Sequence, residues 1–534
     1  MHKLLSNRFF LSTICGLLLW LSWPVSGFAG FIFFAWIPFF FVFKSSLRKQ
    51  EPGKFFLFTF WSMFLWNFCC TWWVGYSTLG GAALAILANS LLMTLVWQTA
   101  YTAGTKTQAL QGWITGCALW LGFEWLHLNW ELTWPWLSLG NVFSEHISWI
   151  QWYEFTGIAG GSLWIFLTNF LFVLWIESNY RYRYLLLACM CILVPVTAGM
   201  LRYLSYEEKG ESARVEVVQP NIDPYGEKFS SLSAKEQINR LLSQANKGWT
   251  KDTKLILGPE TSIPYDVWEH ELTKDEQVML IKNFIAEKNH TPFLLGASTA
   301  RAYNTSYPPT FSARKLYGSE GYYDSYNSAI LVSASNSIPV YHKSRLVPGV
   351  ERIPFPVLTQ SLNSLAIDLG GTTGSLGIQE NREVFPIPGS TIIAAPIICY
   401  ESIYGAFVGD YVKQGANLLC IVTNDGWWED SPGHKQHLSY ARLRAIEHRR
   451  CVARSANTGT SAFINQRGDI LQATPWWVPT VISGKVQLNN EKTFYSQTGD
   501  YVYAGAAFAG FLLLIMGVAG KNLLDTFEKK LLKH

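Results

Sequence analysis

Four residues of chemical interest stand where apolar runs end. Glu260 follows "LILGP", Lys343 follows "IPVYH", Cys399 follows "TIIAAPII" and Asp425 follows "LLCIVTN". Strand ends are where α/β folds build their sites. A thiol, an ammonium and a carboxylate brought together there can perform acyl chemistry: the thiolate attacks, the ammonium stabilises developing negative charge, and the carboxylate takes the proton. The stretch "PIICYESIYG" raises one difficulty. Glu401 is two residues from Cys399, and a neighbouring negative charge raises a thiol's pKa and keeps it protonated. Lys343 could supply the positive field that offsets it. Each residue also has a plainer reading. A cysteine after a β run is commonly core, as Cys420 inside "LLCIV" is; Pro-Glu after a strand is commonly a turn; and a lysine in "YHKSRLVPG" is commonly a solvated loop charge.

The elements that must position these residues read as alternating strands and helices from Ala213 onwards. "ARVEVVQPNI" and "TKLILGPE" are strands, with "SAKEQINRLLSQANKG" between them as an amphipathic helix opened by a Ser233/Glu236 capping box. "DEQVMLIKNFIAEKN" is a helix; "TPFLLGAST", "YYDSYNSAILVSA", "IPVYHKSRLVP" and "TIIAAPIICYE" are strands. "YGAFVGDYVKQGA" is a helix, "NLLCIVTND" a strand, "HLSYARLRAIEHRR" a long helix, and "CVARSANTGTSAFINQRGDILQAT" a hairpin-like pair. This alternation implies one layered α/β domain.

Before it the texture differs. The chain has 534 residues with 24 Trp and 34 Phe, and most of these aromatics precede residue 200. Apolar stretches of roughly 20 residues cross a bilayer. Candidates are Phe9 to Leu21, Gly27 to Phe43, Phe55 to Val74, Leu79 to Tyr101, Gly112 to His127, Gly161 to Ile176, Tyr184 to Leu201 and, at the far end, Val502 to Gly520. The first two are short and meet at a Trp23-Pro24 turn. Alternate loops carry the cations: Lys3 and Arg8; Lys44, Arg48, Lys49 and Lys54; Lys106; Arg181 and Arg183; and finally Lys521, Lys529, Lys530 and Lys533. Short cytoplasmic loops collect Lys and Arg, so both termini are expected inside and the α/β domain outside. The expected organisation is 1–204 with seven spans, 205–500 as the external domain, and 501–534 as the eighth span with a basic tail. Cleavage after "SGFAG" is not expected, because Phe28 interrupts the small-residue pattern. Six of the nine cysteines lie in spans and three, Cys399, Cys420 and Cys451, in the external domain. Three cannot pair completely, so at least one thiol stays free in an oxidising compartment. The net charge of +4 averages two unlike halves, and nucleic acid is not indicated.

Together "GPE", "YHKSRLVPGVERIPF" and "CYE" resemble the Glu-Lys-Cys pattern of the nitrilase superfamily, and the flanking spans narrow the resemblance to the apolipoprotein N-acyltransferases. "TNDGWWEDSPGHKQHLSYARLRAIEHRR" and "FEWLHLNWELTWPWLSLG" resemble further segments of that family. The resemblance implies a polytopic α-helical membrane protein of eight spans with an inserted nitrilase-like α-β-β-α sandwich. It implies Glu260 as base, Lys343 as the lysine and Cys399 as nucleophile, with Glu351, Tyr400 and Glu401 in support. Trp427, Trp428 and Phe229 are implied as lipid contacts. The departures are Gly349-Val350 where Phe-Gly is common, Trp428-Glu429 where Phe-Gly is frequent, and Phe229 near a common tryptophan; they bear on loop shape and chain preference.

The implied reaction takes an acyl chain from a phospholipid such as phosphatidylethanolamine, through a Cys399 thioester, to the α-amine of a diacylglyceryl apolipoprotein. A bacterial inner-membrane location follows, with a periplasmic catalytic domain, no cofactor, no metal and a monomeric state. His434 and His437 in "GHKQH" lack a third ligand for zinc, and "LGGTTGS" lacks the lysine of a phosphate loop. Two other classes compete. A membrane-tethered amidase would use the same residues on a soluble amide, but apolar Trp427, Trp428 and Phe229 suit acyl chains better. A transporter with a sensor domain would need ionisable groups within its spans, and these are scarce. Replacing Lys343 by methionine is expected to cost activity and little stability.

Overall fold

The structure, a computed structural model, describes residues 7–318, 320–355 and 375–524. Lys3, Lys529, Lys530, Lys533 and all of "LGGTTGS" except Ser375 lie outside the described residues. The chain forms two compact units, one holding residues up to Ser205 together with those from Thr498, the other Tyr206–Gln497.

Among the described residues of the first unit, six helical segments are long and apolar enough to cross a membrane: Ala29–Lys49, Pro52–Tyr76, Leu79–Lys106, Tyr153–Glu177, Tyr182–Ser205 and Tyr501–Val518. Two of the eight expected spans fall short. Arg8–Ser22 has 15 residues, a rise of only about 22 Å. Ala109–Asn129 has 21 but includes Gln111, Glu124, His127 and Asn129, which lower its apolarity. Glu124 is one ionisable group within these helices, and its surroundings account for it. Its Oε1 accepts from Trp120 Nε1 at 2.9 Å and Leu139 N at 2.8 Å, and its Oε2 from Ser162 Oγ and Tyr503 OH, both at 2.7 Å. Four donors satisfy the buried carboxylate and rivet three helices to the loop after "WPW".

The basic loops of this unit converge. Arg8 and Lys54 both pair with Glu51, and Lys44 pairs with Glu177. One cleft is lined by Lys44, Arg48, Gln50, Thr105, Gln108 and Glu177. Lys106 Nζ donates to Val518 O at 3.0 Å and Gln111 Nε2 to Lys521 O at 2.8 Å.

Among the described residues the second unit is built from two sheets. Its strands are β1 (Glu211–Gln219), β2 (Thr253–Leu257), β3 (Ile263–Trp268), β4 (Phe293–Tyr303), β5 (Arg314–Lys315), β6 (Tyr322–Val332), β7 (Val340–His342), β8 (Phe385–Pro386), β9 (Ile393–Ile398), β10 (Leu418–Thr423), β11 (Cys451–Ala456), β12 (Ala462–Ile464), β13 (Ile470–Ala473) and β14 (Thr480–Leu488). One sheet runs β14-β1-β2-β4-β6-β5, with β3 against β4 and β7 against β6; the other runs β13-β12-β11-β10-β9-β8. Helices Ala234–Gly248 and Glu276–Glu287 cover the first, burying Ile238, Leu241, Ala245, Val278, Ile281 and Ile285 against Ile256, Leu295 and Ile330. Each of the Ile, Leu and Val side chains contributes roughly 1.5–3 kcal/mol. Helices Gly405–Lys413 and Pro432–His448 pack on the second. The sheets meet where Ser455 Oγ donates to Val218 O at 2.7 Å. The Ser233/Glu236 capping box forms. The expected hairpin pair resolves into three antiparallel strands, β11, β12 and β13. The unmarked stretch "TVISGKVQL" closes the first sheet as β14, antiparallel to β1.

One buried residue of this unit lacks compensation. Neither carboxyl oxygen of Glu216, on β1, has a hydrogen-bond partner among the described residues. The group lies under the C-terminal end of helix Ala234–Gly248, where a Cβ on Gly248 would come within 3.2 Å of its carboxyl carbon; a helix C-terminus disfavours negative charge. Burial pushes its pKa up to about 8, against Arg214 and Lys288, which pull it down. With the folded pKa above the unfolded one, its stabilisation is complete below about pH 4.5 and is lost as pH rises through about 8. Relative to Glu216→Gln, the wild type is therefore expected to lose on the order of 5 kcal/mol between those limits. Thermal melts of both proteins across pH 4.5 to 9 check this; parallel curves would refute it.

Candidate active site

The strand ends carry the candidate residues to one place. After β2 the chain hugs β4: Gly258 N donates to Leu294 O, Gly296 N to Pro259 O and Ser262 N to Gly296 O. A Cβ at Gly296 would lie 2.6 Å from Glu260 Cα, so only glycine lets the Glu260 backbone pass. Lys343 follows β7 and its N–H donates to Asn327 O on β6 at 2.8 Å. Cys399 follows β9 with φ +48°, a left-handed conformation that costs a side-chain-bearing residue on the order of 1 kcal/mol.

Lys343 Nζ lies 3.2 Å from Glu260 Oε1 and 2.8 Å from Glu351 Oε1. Asn327 Nδ2 donates to the same two oxygens, at 2.7 and 3.1 Å. Glu351 Oε2 accepts from Val347 N at 2.8 Å, which curls the turn back on itself. Gly349 within it has φ +81°, so the glycine displaced from the common Phe-Gly still serves the turn, one position earlier. Lys343 is 1% exposed. Burial alone would lower its pKa, but Glu260, Glu351 and Cys399 outweigh it and hold the ammonium well above its ordinary value.

The Cys399 thiol is pushed up by burial, then by the charges of Glu260 and Asp425; Lys343 and a hydrogen bond with Thr423 pull the other way. Glu401 is not among the main groups that set it. Its carboxylate is fully buried and turned elsewhere: Oε1 accepts from Ser344 N at 2.6 Å and Tyr341 OH at 2.8 Å, and Oε2 from Ile398 N at 2.9 Å. The apparent obstacle is thus a clasp between the lysine loop and the cysteine turn. Burial raises the Glu401 pKa, and these donors and Lys343 restrain it.

Tyr400 is buried edge-on against Tyr404 at 5.3 Å. Trp427 stacks on Phe229 at 6.2 Å and meets the edge of Tyr225, whose hydroxyl donates to Trp427 O. Trp428 instead turns its ring to His437 at 5.7 Å. His434 stacks on Trp476, so the two histidines of "GHKQH" face different partners. Among the described residues no group of three His, Cys, Asp or Glu is placed to hold a metal.

Two further residues carried no signal in their local sequence. Asn327 bridges the carboxylates, and Lys228, 3% exposed, donates to Glu260 O at 2.9 Å and Thr261 Oγ1 at 2.6 Å. Burial lowers the Lys228 pKa to about 8, against the pull of Glu260. It braces the backbone that presents the Glu260 side chain.

Comparison with known proteins agrees with this architecture. Residues 214–494 match the carbon-nitrogen hydrolase family and residues 15–171 the apolipoprotein N-acyltransferase N-terminal domain. The apolipoprotein N-acyltransferase of Chlorobaculum tepidum is 30% identical over 529 residues, covering 97% of this chain and 98% of its own. That of Geobacter metallireducens is 27% identical, covering 94% and 93%. A nitrilase-superfamily amidase from Nesterenkonia covers 54% of this chain and 95% of its own at TM-score 0.35 and 14% identity, too distant to add to the assignment. With both domains matched in order and a relative aligned from end to end, the chain belongs to the apolipoprotein N-acyltransferase family.

Proposed function

We propose that this protein completes lipoprotein maturation by two acyl transfers at Cys399. In the first, Glu260 takes the thiol proton and Cys399 Sγ attacks the sn-1 ester of a phospholipid, phosphatidylethanolamine being the proposed donor. Lys343 and the Tyr400 N–H stabilise the oxyanion. The ester C–O bond breaks, the lysophospholipid leaves with the proton, and a thioester remains. In the second, the α-amine of a diacylglyceryl apolipoprotein attacks the thioester, Glu260 takes its proton, and the thiol is released. Glu351 and Glu401 hold Lys343 and the cysteine turn; Trp427 and Phe229, with Trp428 beside them, offer apolar surface to the acyl chain.

The observation that carries this reading is the buried ion cluster of Glu260, Lys343 and Glu351, of which Glu260 and Lys343 act on the Cys399 thiol. The proposed setting is the bacterial inner membrane, with eight spans counting Arg8–Ser22 and Ala109–Asn129, both termini cytoplasmic, and the catalytic domain periplasmic. Convergence of the basic loops supports an even number of crossings. Donor and acceptor are then anchored in one leaflet, which raises their effective concentration at the thiol.

The test uses detergent-solubilised protein and a phospholipid labelled in its sn-1 chain. After free lipid is removed, label is expected to persist on wild type, to be absent from Cys399→Ala, and to move to a diacylglyceryl-cysteine peptide only on its addition. Release of labelled fatty acid into buffer as fast as peptide acylation would favour a hydrolase of the amidase class.

A further inference from the structure

We infer that His437 is a positioning residue for the oxyanion site, acting through the backbone carbonyl of Cys399. The inference rests on the proposed attack of Cys399 on an acyl carbonyl. His437 is fully buried on helix Pro432–His448, with Nε2 3.2 Å from Cys399 O and 3.0 Å from Ser402 Oγ. Ser402 Oγ itself donates to Cys399 O at 2.8 Å. The serine proton is thereby committed, so both neighbours of Nε2 are acceptors and Nε2 carries a proton. Two donors converge on one carbonyl.

That carbonyl shares a planar trans peptide with the Tyr400 N–H, which points to the opposite edge. Gripping the oxygen sets the direction of the N–H, and polarising the carbonyl strengthens the N–H as a donor. The grip matters because Cys399 is held at φ +48°, a conformation that persists only where surrounding contacts over-determine it.

The ring is aimed from behind. Nδ1 lies 3.0 Å from Asp425 Oδ1 and 3.1 Å from Arg454 Nη2. Arg454 donates to Asp425 Oδ2 and to Thr460 O, both at 2.6 Å, and Thr423 Oγ1 to Asp425 Oδ1 at 2.9 Å. Burial would raise the Asp425 pKa, but Arg454 and His437 outweigh it and hold the carboxyl below its ordinary range. Desolvating such an ion pair is costly, and here its product is a single imidazole orientation.

The test compares two reactions of Cys399 in the full chain. Burst release of p-nitrophenolate from p-nitrophenyl acetate, counted against Cys399→Ala, requires an oxyanion; alkylation by iodoacetamide, at a saturated carbon, does not. His437→Leu is expected to slow the burst about 100-fold and to change alkylation less than about twofold. His437→Gln, which keeps a donor at the Nε2 position, is expected to recover most of the burst rate. Ser402→Ala, the milder change, is expected to slow the burst alone. Burst and alkylation falling together, or a burst indifferent to His437→Leu, would overturn the inference. Wild type that is acylated by p-nitrophenyl acetate but never by phospholipid would sink the proposed donor and leave the role of His437 standing.

Discussion

Lys343→Met is expected to abolish acyl transfer and to destabilise the catalytic unit as well. Methionine is similar in length but leaves Glu260 and Glu351 facing one another across a site where Lys343 is 1% exposed. Removing one partner of a buried ion cluster costs roughly 3–5 kcal/mol, because the remaining charges are left uncompensated. Transfer is expected to fall by about 10³ or more with the loss of the proposed oxyanion stabilisation. The reading that this lysine is a loop charge of little structural weight does not survive its burial. Adding Glu351→Gln separates the two effects, since it removes one uncompensated carboxylate: thermal stability should recover in large part while transfer stays lost. Recovery of activity in the double variant would show that Lys343 serves only the fold. An unchanged melting temperature in Lys343→Met would show that the carboxylates do not need it.

Glu260→Gln is expected to drive two reactions of the same thiol in opposite directions. Burial and then Glu260 push the Cys399 pKa up, so the resting thiol is protonated and its proton must be removed during attack. Without the base, acyl transfer should fall by about 10² to 10⁴. Without the Glu260 charge, the thiol pKa drops toward its ordinary value, and Lys343 acts on it with less opposition. Alkylation by iodoacetamide, which needs only thiolate, should therefore become faster at neutral pH, with its pH profile displaced to lower values. Mass spectrometry of the Cys399 peptide measures both modifications. If alkylation slows along with transfer, Glu260 contributes to architecture and not to proton removal.

Much of the candidate site was legible before any fold. Glu260, Lys343 and Cys399 each follow an apolar β run, and that pattern is local: period-two side chains mark the strand, and the first charged residue marks its exit from the core. The Ser233/Glu236 cap and the long apolar helices were legible for the same reason, since capping and hydropathy depend on neighbours in sequence. Span count was less so. Arg8–Ser22 and Ala109–Asn129 read as spans on composition, yet one is short and the other carries Glu124.

The sequence by itself determined which residue types were available and where the strands release them. Tertiary structure decided what those residues do to one another. Glu401, two residues from Cys399, was positioned to raise the thiol's pKa; in the fold its carboxylate reaches back to Ser344 N and Ile398 N. The carboxylates acting on the thiol are Glu260, 139 positions earlier in the chain, and then Asp425. Lys228, Asn327 and His437 likewise act across separations of 32, 67 and 38 residues. The physical reason is that hydrophobic periodicity is a property of consecutive residues, whereas electrostatic influence depends on distance through space and on the exclusion of water, both set only when the sheets pack.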